Sequence, residues 1–310
     1  MRILVLGAGG IGGYFGARIH DAGGDVTFLT RPARAAQLRT NGLKVFSPCG
    51  DTQISPKVVT QGEQGDPFDV IMLSCKSYDL DSAMAAIAPA MNQQSIILPL
   101  LNGVLHIDTL AARFGPERVL GGVAFISVML APTGEIQHLN KLHRLITGSR
   151  TPQPSQWLQP LAQLLASSAI DFALTDDIEQ AMWDKIVFLS TLAGSTCTLR
   201  ASIGDILQTV AGEAFITGLL AECAAVAAAF GHPVAETQLA AYRKPLTEKG
   251  SALMASMLRD IERGGATEAD HILGDMVCHA NAEGINVPLL ELAYSHLQAY
   301  DFRRRAWSSN

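Results

Sequence analysis

The stretch Arg2-Ile3-Leu4-Val5-Leu6-Gly7-Ala8-Gly9-Gly10-Ile11-Gly12 decides the fold of this 310-residue chain. An apolar run with the pattern of a strand leads into G-x-G-x-x-G, and helical spacing follows over residues 11–22. In such a loop the first glycine permits a tight turn, the second lets the backbone approach a pyrophosphate, and the third lets helix and strand pack closely. The start of the helix adds free N–H groups and the positive end of its dipole. We therefore predict a dinucleotide-binding loop made by Gly7, Gly9, Gly10, Ile11 and Gly12.

Strand and helix patterns alternate through the first half of the chain. Strand patterns cover residues 2–6, 26–29, 70–74 and 95–98, and helical patterns cover 11–22, 82–90 and 106–114. This alternation predicts βαβ units and a mostly parallel sheet. Three further strand patterns lack intervening helices and predict an antiparallel or mixed extension of that sheet; they lie at 123–130, 136–138 and 144–147.

A helix over 156–167 and a short strand over 170–174 are predicted next, and after Asp176 the strand patterns disappear. The remaining patterns are helical and cover 178–193, 216–230, 269–283 and 289–304. The sequence thus predicts an α/β Rossmann-type N-terminal domain over 1–170 and an all-α C-terminal domain over 171–310.

Composition excludes several classes of protein. The formal net charge is −6, which argues against a broad nucleic-acid surface. The apolar fraction of 48% excludes a disordered chain. The most apolar stretch, 211–230, contains Glu213 and Glu222 and is interpreted as a buried helix, not a membrane span. Because the N-terminus lacks the pattern of a signal peptide, we predict a cytoplasmic location without a membrane partner.

Cysteine and histidine usage predicts no metal site. The five cysteines are scattered and never form Cys-x-x-Cys, so buried free thiols are expected instead of disulfides or zinc ligands. His271 and His279 are interpreted as residues on helix surfaces.

The end of the second strand indicates which dinucleotide is bound. An NAD enzyme places an acidic residue there for the ribose 2′-OH, whereas an NADP enzyme places an arginine nearby for the 2′-phosphate. Residues 26–31 read Val-Thr-Phe-Leu-Thr-Arg, without an acid at the strand end. Arg31 is thus predicted to bind the 2′-phosphate of NADP(H), with Arg34 as a second contact.

Three further polar residues lie at positions that suit a reaction site. Lys76 and Asn102 follow the third and fourth parallel strands, at the sheet edge where α/β proteins bind ligands. Taken alone, Lys76 is equally a solvated loop lysine, and Asn102-Gly103 is equally a turn. Lys185 shares a helix face with Leu189 and Ala193, where partial burial would lower its pKa toward that of a proton donor. The alternative is a lysine that reaches solvent at the helix edge.

Taken together, these motifs resemble the ketopantoate reductase (2-dehydropantoate 2-reductase) family over nearly the whole chain. The glycine loop, Arg31 and Lys76 carry part of this resemblance. The other motifs that carry it are Leu101-Asn102-Gly103, Trp183-Asp184-Lys185, Ser256-Met257-Leu258-Arg259-Asp260 with Thr267-Glu268, and residues 284–288. The resemblance implies a helical substrate and dimerisation domain of the 6-phosphogluconate dehydrogenase C-terminal type. It also implies a small-molecule 2-oxo acid substrate and leaves room for a homodimer.

The activity that the resemblance implies is NADPH-dependent reduction of 2-dehydropantoate to pantoate in pantothenate biosynthesis. Lys185 would be the general acid, and Glu268 would orient Lys185 or hold a substrate hydroxyl. Ser256 would bind the substrate carboxylate. Asn102 would contact substrate or cofactor ribose, and Lys76 would line the cofactor side.

Three positions depart from the pattern of the best-known family members, which carry asparagines where this chain has Leu189, Ala193 and Ile203. Losing these amides weakens discrimination for a hydroxylated substrate, so a bulkier or more apolar 2-oxo acid is an alternative. A related hydroxyacid or opine-type dehydrogenase is a second one. A non-catalytic NADP(H)-binding regulator is a third, although Lys185, Ser256 and Glu268 are retained.

Overall fold

The computed structural model describes residues 1–308, which divide into two compact units. The N-terminal unit contains Met1–Leu101 and His106–Glu179. The helical unit contains Asn102–Leu105 and the chain from Gln180 onward. Each unit has its own apolar core.

The elements that precede the long helices alternate between strands and helices. In chain order they are β1 (Arg2–Leu6), α1 (Gly10–Asp21), β2 (Asp25–Leu29), α2 (Pro32–Asn41), β3 (Leu43–Phe46), β4 (Thr52–Ile54), β5 (Lys57–Val59), β6 (Phe68–Leu73), α3 (Leu80–Ile87), β7 (Met91–Pro99), α4 (Leu105–Phe114), β8 (Gly121–Leu130), β9 (Ile136–Gly148), α5 (Leu158–Ser167) and β10 (Asp171–Leu174).

The first sheet is parallel throughout and has the strand order β5-β2-β1-β6-β7. The chain runs outward from β1 in one direction through β2 and in the other through β6, so the order switches at β1. In open α/β sheets ligands bind outside the carboxyl ends of the strands at such a switch point. The prediction of an α/β Rossmann-type domain is thus confirmed, and the loop after β1 lies at the expected place.

The strands after β7 do not extend this sheet, as the sequence patterns had suggested, but form a second one. The predicted strands at 136–138 and 144–147 are a single strand, β9, which pairs antiparallel with β8 along its length. On its other edge β9 pairs parallel with β3 and β10, and β4 completes the five strands. Helix α1 packs against both sheets, because Gly16 faces Phe28 of β2 and Gly13 faces Ile136 of β9.

The division between the units falls after Glu179, whereas the sequence placed it near residue 170. The difference arises because β10 is paired in register with the end of β9. Arg150 Nε also donates to Glu179 Oε1 at 3.0 Å, which ties the start of the next helix to the N-terminal unit.

The helical unit confirms the prediction of an all-α second half. Its elements are α6 (Ile178–Leu199), α7 (Ile203–Ile206), α8 (Gly212–Ala229), α9 (Glu236–Leu246), α10 (Ser256–Glu262), a π-helical turn (Asp270–Gly274), α11 (Asp275–Ala282) and α12 (Pro288–Ser308). Three of them, α7, α9 and α10, had no predicted counterpart. A capping box between Ser202 and Asp205 starts α7, which is too short to show a helical period.

Helix α8 is the one described helix long and apolar enough to cross a membrane by length and composition. In the structure one face of α8 belongs to the core of the helical unit, through residues such as Leu219 and Val226. The carboxylate of Glu222, on the same helix, accepts hydrogen bonds from the backbone N–H groups of Leu289 (3.1 Å) and Leu290 (2.8 Å). It thereby satisfies N–H groups that the first turn of α12 leaves without a helical partner.

Candidate active site

The loop between β1 and α1 has the geometry of a phosphate cradle. Gly7 adopts φ +91°, which side chains rarely tolerate, and the backbone turns there. A Cβ on Gly12 would lie 2.2 Å from Ser74 Oγ and 2.4 Å from the Gly7 carbonyl oxygen, so helix and strand approach too closely for any side chain. A Cβ on Gly9 would meet no atom within 4 Å, so the space next to this backbone is open. Helix α1 then begins at Gly10, without a side-chain cap on its first N–H groups. This cradle fits a dinucleotide pyrophosphate.

Ser74 connects the two strands that flank the switch point. Its hydroxyl donates to the carbonyl of Leu6 at 3.0 Å, so the ends of β1 and β6 are joined below the glycine loop. Ser74 was not among the residues predicted for the site. Its position at the end of the strand pattern over 70–74 was the available signal.

Arg31 and Arg34, predicted together at the 2′-phosphate, occupy different environments. The Arg31 side chain is 83% exposed and forms an ion pair with Asp79, Nη2 to Oδ2 3.1 Å. Arg34 is partly buried, and its Nε and Nη2 donate to the Ala8 carbonyl at 3.2 and 3.0 Å. Its Nη1 donates to Gln37 Oε1 and to the Gly134 carbonyl. Arg34 therefore supports the glycine loop from within the protein, and only Arg31 presents its guanidinium to solvent.

Lys76 lies directly after the carboxyl end of β6, in the N-terminal unit. It is half-buried and precedes the 3-10 turn Ser77–Asp79, in which its carbonyl accepts from the Asp79 N–H at 3.0 Å. The turn thus connects Lys76 to the residue that pairs with Arg31. These residues lie at the sheet edge that the switch-point rule assigns to a ligand.

Lys185 is buried on α6 in the helical unit, with 7% of its surface exposed. Burial lowers its pKa from the ordinary 10.5 to about 8, because the charged ammonium loses hydration. The charge of Glu268 acts in the opposite direction and raises this pKa. The alternative of a lysine that reaches solvent at the helix edge is therefore wrong.

Asn102 and Glu268 both act on the ammonium group of Lys185. Lys185 Nζ donates to Asn102 Oδ1 at 3.0 Å. Asn102 follows β7 in the chain but is grouped with the helical unit, as are Gly103 and Val104. Glu268 is 7% exposed and directly precedes the helix that begins at Ala269. The hydrogen bond to the Asn102 amide oxygen and the charge of Glu268 both favour the charged form of Lys185.

His271 was expected on a helix surface, and this expectation is wrong. Its side chain is 7% exposed and lies in the π-helical turn, three residues after Glu268. It forms a hydrogen bond with the backbone of Asn102. The signal in the sequence was its place in the first turn of the helix predicted over 269–283, directly after Glu268.

Ser256 and the three apolar positions, Leu189, Ala193 and Ile203, take no part in the hydrogen bond from Lys185 to Asn102. Ser256 starts α10 with an exposed side chain, and no hydrogen bond joins it to another described residue. Ala193 and Ile203 are buried in the helical core, at 3% and 0% exposure, and Leu189 is half-buried on α6. Among residues 1–308, no group of three His, Cys, Asp or Glu side chains is placed to hold a metal ion.

Comparison with known proteins identifies the family. The sequence pattern described as "Ketopantoate reductase PanE/ApbA" matches residues 3–151, and its C-terminal counterpart matches residues 177–301. The chain belongs to the ketopantoate reductase family. The members of this family are NAD(P)H-dependent oxidoreductases that act on CH–OH groups.

Individual relatives cover nearly the whole chain. "Uncharacterized oxidoreductase YkpB" of Bacillus subtilis is 35% identical over 301 residues, covering 97% of this chain and 99% of its own. A 2-dehydropantoate 2-reductase of Nostoc is 24% identical over 98% of this chain and 96% of its own. The crystal structure of 2-dehydropantoate 2-reductase from Geobacter metallireducens superposes with a TM-score of 0.89 at 30% identity, covering 96% of this chain and 99% of that chain. The resemblance seen in the motifs is confirmed.

Proposed function

We propose that this ketopantoate reductase family member reduces a 2-oxo acid to a 2-hydroxy acid with NADPH, and that 2-dehydropantoate is the leading substrate. The observation that carries the proposal is the buried Lys185, bonded to Asn102 and facing the charge of Glu268. A lysine with a pKa of about 8 is protonated at neutral pH and gives up its proton readily. The relatives named 2-dehydropantoate 2-reductase support the choice of substrate.

In this reaction Lys185 supplies the proton and positive charge. When bound, NADPH would supply the hydride that reduces the carbonyl carbon of the substrate. As the carbonyl oxygen becomes an alkoxide, the Lys185 ammonium stabilises the developing negative charge. An N–H bond of Lys185 breaks and the O–H bond of the product forms. Asn102 Oδ1 orients the ammonium, and Glu268 keeps it protonated until the transfer.

The N-terminal unit supplies the residues for NADPH. The backbone of Gly7, Gly9, Gly10, Ile11 and Gly12 would hold the pyrophosphate. Arg31 would bind the 2′-phosphate, because its guanidinium is exposed and permanently charged. Lys76 would contact the cofactor from the end of β6, and Asn102 would contact the nicotinamide ribose or the substrate.

A more apolar 2-oxo acid is the second candidate substrate. In the helical unit, Ser256 would bind the carboxylate common to all 2-oxo acids. Three positions that carry asparagine in the best-known family members are apolar here: Leu189, Ala193 and Ile203. These side chains cannot form a hydrogen bond with a substrate hydroxyl. A buried hydroxyl left without a partner costs about 1–3 kcal/mol. Such a site would therefore favour an apolar 2-oxo acid over 2-dehydropantoate, which carries a hydroxyl group.

The test is NADPH oxidation with a panel of 2-oxo acids that includes 2-dehydropantoate and apolar analogues, using the wild type and Lys185→Met. We expect the wild type to turn over at least one of them. We expect Lys185→Met to bind NADPH normally and to lose at least a factor of about 10² in kcat. Turnover by Lys185→Met at the wild-type rate would remove Lys185 as the acid. Tight NADPH binding without turnover of any 2-oxo acid by the wild type would favour a non-catalytic NADP(H)-binding regulator.

A cytoplasmic location accompanies this proposal. All five cysteines are free thiols, and thiols persist in a reducing compartment. A homodimer is a further expectation from the resemblance, which light scattering coupled to size-exclusion chromatography measures directly.

A further inference from the structure

The turn formed by Asn102 and Gly103 is fixed to the helical unit by more than the bond to Lys185. Gly103 has φ +87°, and a Cβ added to it would lie 2.8 Å from Cδ2 and 3.0 Å from Nε2 of His271. The glycine therefore packs directly onto the edge of the imidazole. Val104, the next residue, packs against the core of the helical unit.

The hydrogen bond between His271 and Asn102 has a defined direction. It favours the protonated imidazole, since it raises the pKa of His271, and so the imidazole N–H is the donor and the Asn102 backbone carbonyl the acceptor. Burial has the larger effect and lowers the pKa of His271, which favours a neutral ring at physiological pH. A neutral imidazole still carries one N–H, which is enough for this bond.

His271 is itself fixed in place by the elements around it. Its backbone N–H and that of Ile272 donate to the Glu268 carbonyl, at 3.2 and 3.0 Å. Tyr294 OH, from α12, donates to Asp270 Oδ1 at 2.8 Å, next to His271 in the π-helical turn. The backbone that carries the imidazole is thus fixed relative to Glu268.

We propose that His271 is a positioning residue for Lys185: its N–H holds the Asn102 carbonyl, fixes the Asn102–Gly103 turn, and so keeps Asn102 Oδ1 on Lys185 Nζ. This role rests on the proposed function of Lys185 as the acid. Asn102 is contacted at both ends, through its side chain by Lys185 and through its backbone by His271. Without His271 the turn loses one of these two attachments. Asn102 Oδ1 then moves away from Lys185 Nζ, and their hydrogen bond is lost.

The test measures the titration of Lys185 directly, in the absence of substrate. Protein labelled at lysine ¹³Cε is titrated by NMR, and the Lys185 signal is assigned by its loss in Lys185→Met. The wild-type midpoint is expected at about 8. In His271→Leu and in Asn102→Ala the midpoint is expected to fall by about one pH unit, because the charged form loses a hydrogen bond.

Three further variants separate positioning from general structural damage. His271→Gln retains an N–H donor on a side chain of similar length and is expected to restore the midpoint to near the wild-type value. The double variant His271→Leu/Asn102→Ala is expected to titrate like Asn102→Ala alone, since both changes remove the same bond. His296→Leu removes another partly buried imidazole of the helical unit, on α12, and is expected to leave the midpoint unchanged.

The outcomes that overturn the proposal are equally specific. It fails if His271→Leu leaves the midpoint unchanged or raises it, or if the shifts of the two single variants add in the double variant. Should His271→Leu not fold, His271→Ala takes its place, because alanine also lacks a side-chain donor. An active Lys185→Met would refute the proposed role of Lys185 as the acid, whereas an unshifted titration beside an inactive Lys185→Met would refute only the role of His271.

Discussion

Lys185 Nζ donates a hydrogen bond to Asn102 Oδ1 at 3.0 Å across 83 positions of the chain. The acceptor is neutral, so it stabilises the ammonium without neutralising it. Burial and the charge of Glu268 then act in opposite directions on the pKa of Lys185. The balance leaves an acid that is protonated at neutral pH and close to its own titration, which is the condition for efficient proton donation.

The pH dependence of the reaction follows from this balance. As the proposed acid, Lys185 could donate its proton only when charged, and its pKa is lowered from 10.5 to about 8. We expect kcat for 2-oxo acid reduction to be level below this pH and to fall about tenfold for each pH unit above it. Oxidation of the 2-hydroxy acid needs the neutral amine as base and should rise through the same range. Steady-state rates between pH 6 and 10 in both directions measure these limbs.

Glu268→Gln tests the electrostatic part of the same prediction. Removing the negative charge removes the interaction that raises the pKa of Lys185, so the descending limb should move to lower pH. Glu262→Gln is the matched control, because Glu262 is an exposed carboxylate at the end of α10. A limb that moves equally in both variants, or in neither, contradicts the assignment of Glu268.

Arg31 should determine the choice between the two nicotinamide cofactors. Charge-assisted hydrogen bonds contribute about 1.5–3 kcal/mol, so Arg31→Ala should weaken NADPH binding roughly 10- to 100-fold and NADH binding little. Asp79 pairs with Arg31 and adds a like charge near the phosphate, so Asp79→Asn should strengthen NADPH binding a few-fold. Fluorescence titration with both cofactors measures these affinities. Equal losses for NADPH and NADH in Arg31→Ala would remove Arg31 from the phosphate site.

Arg34 lies one helical turn from Arg31, but its substitution should not change the selectivity between NADPH and NADH. Its guanidinium is committed to the Ala8 and Gly134 carbonyls, and it supports the glycine loop that both cofactors share. Arg34→Gln is therefore expected to weaken NADPH and NADH to the same extent and to lower the melting temperature. A selective loss of NADPH alone would mean that Arg34 contacts the phosphate after all.

Two glycines of the cradle should separate folding from binding. Gly12→Ala places a methyl group 2.2 Å from Ser74 Oγ and should destabilise the protein by about 1–3 kcal/mol while weakening cofactor binding. Gly9→Ala meets open space, so it should leave the melting temperature unchanged and still weaken NADPH binding, because the methyl group occupies the approach to the pyrophosphate. Thermal melts and cofactor titrations on both variants give the comparison. Normal NADPH affinity in Gly9→Ala would place the phosphates elsewhere.

Sequence patterns predicted the parts of this protein that depend on local chemistry. The glycine loop, its flanking strand and helix, and the change to helices after β10 each follow from periodicity and turn residues. The second sheet did not, because β9 joins strands that are distant in the chain and no local pattern encodes such pairing. The site shows the same limit. Lys185 could be proposed from its helix face, but the contribution of His271 depends on a turn 168 residues earlier meeting its ring.

The most apolar helix, α8, contributes a carboxylate that caps the start of α12. Glu222 on α8 accepts hydrogen bonds from the N–H groups of Leu289 and Leu290, at the start of α12. Loss of a capping acceptor costs about 0.5–2 kcal/mol, so Glu222→Ala should lower the free energy of unfolding of the helical unit by that amount. Glu213→Ala, an exposed acidic residue on the same helix, is the control and should change it by less than about 0.5 kcal/mol. Urea denaturation followed by circular dichroism measures both values. Equal stabilities for the two variants would show that the Glu222 carboxylate contributes no more than a surface charge.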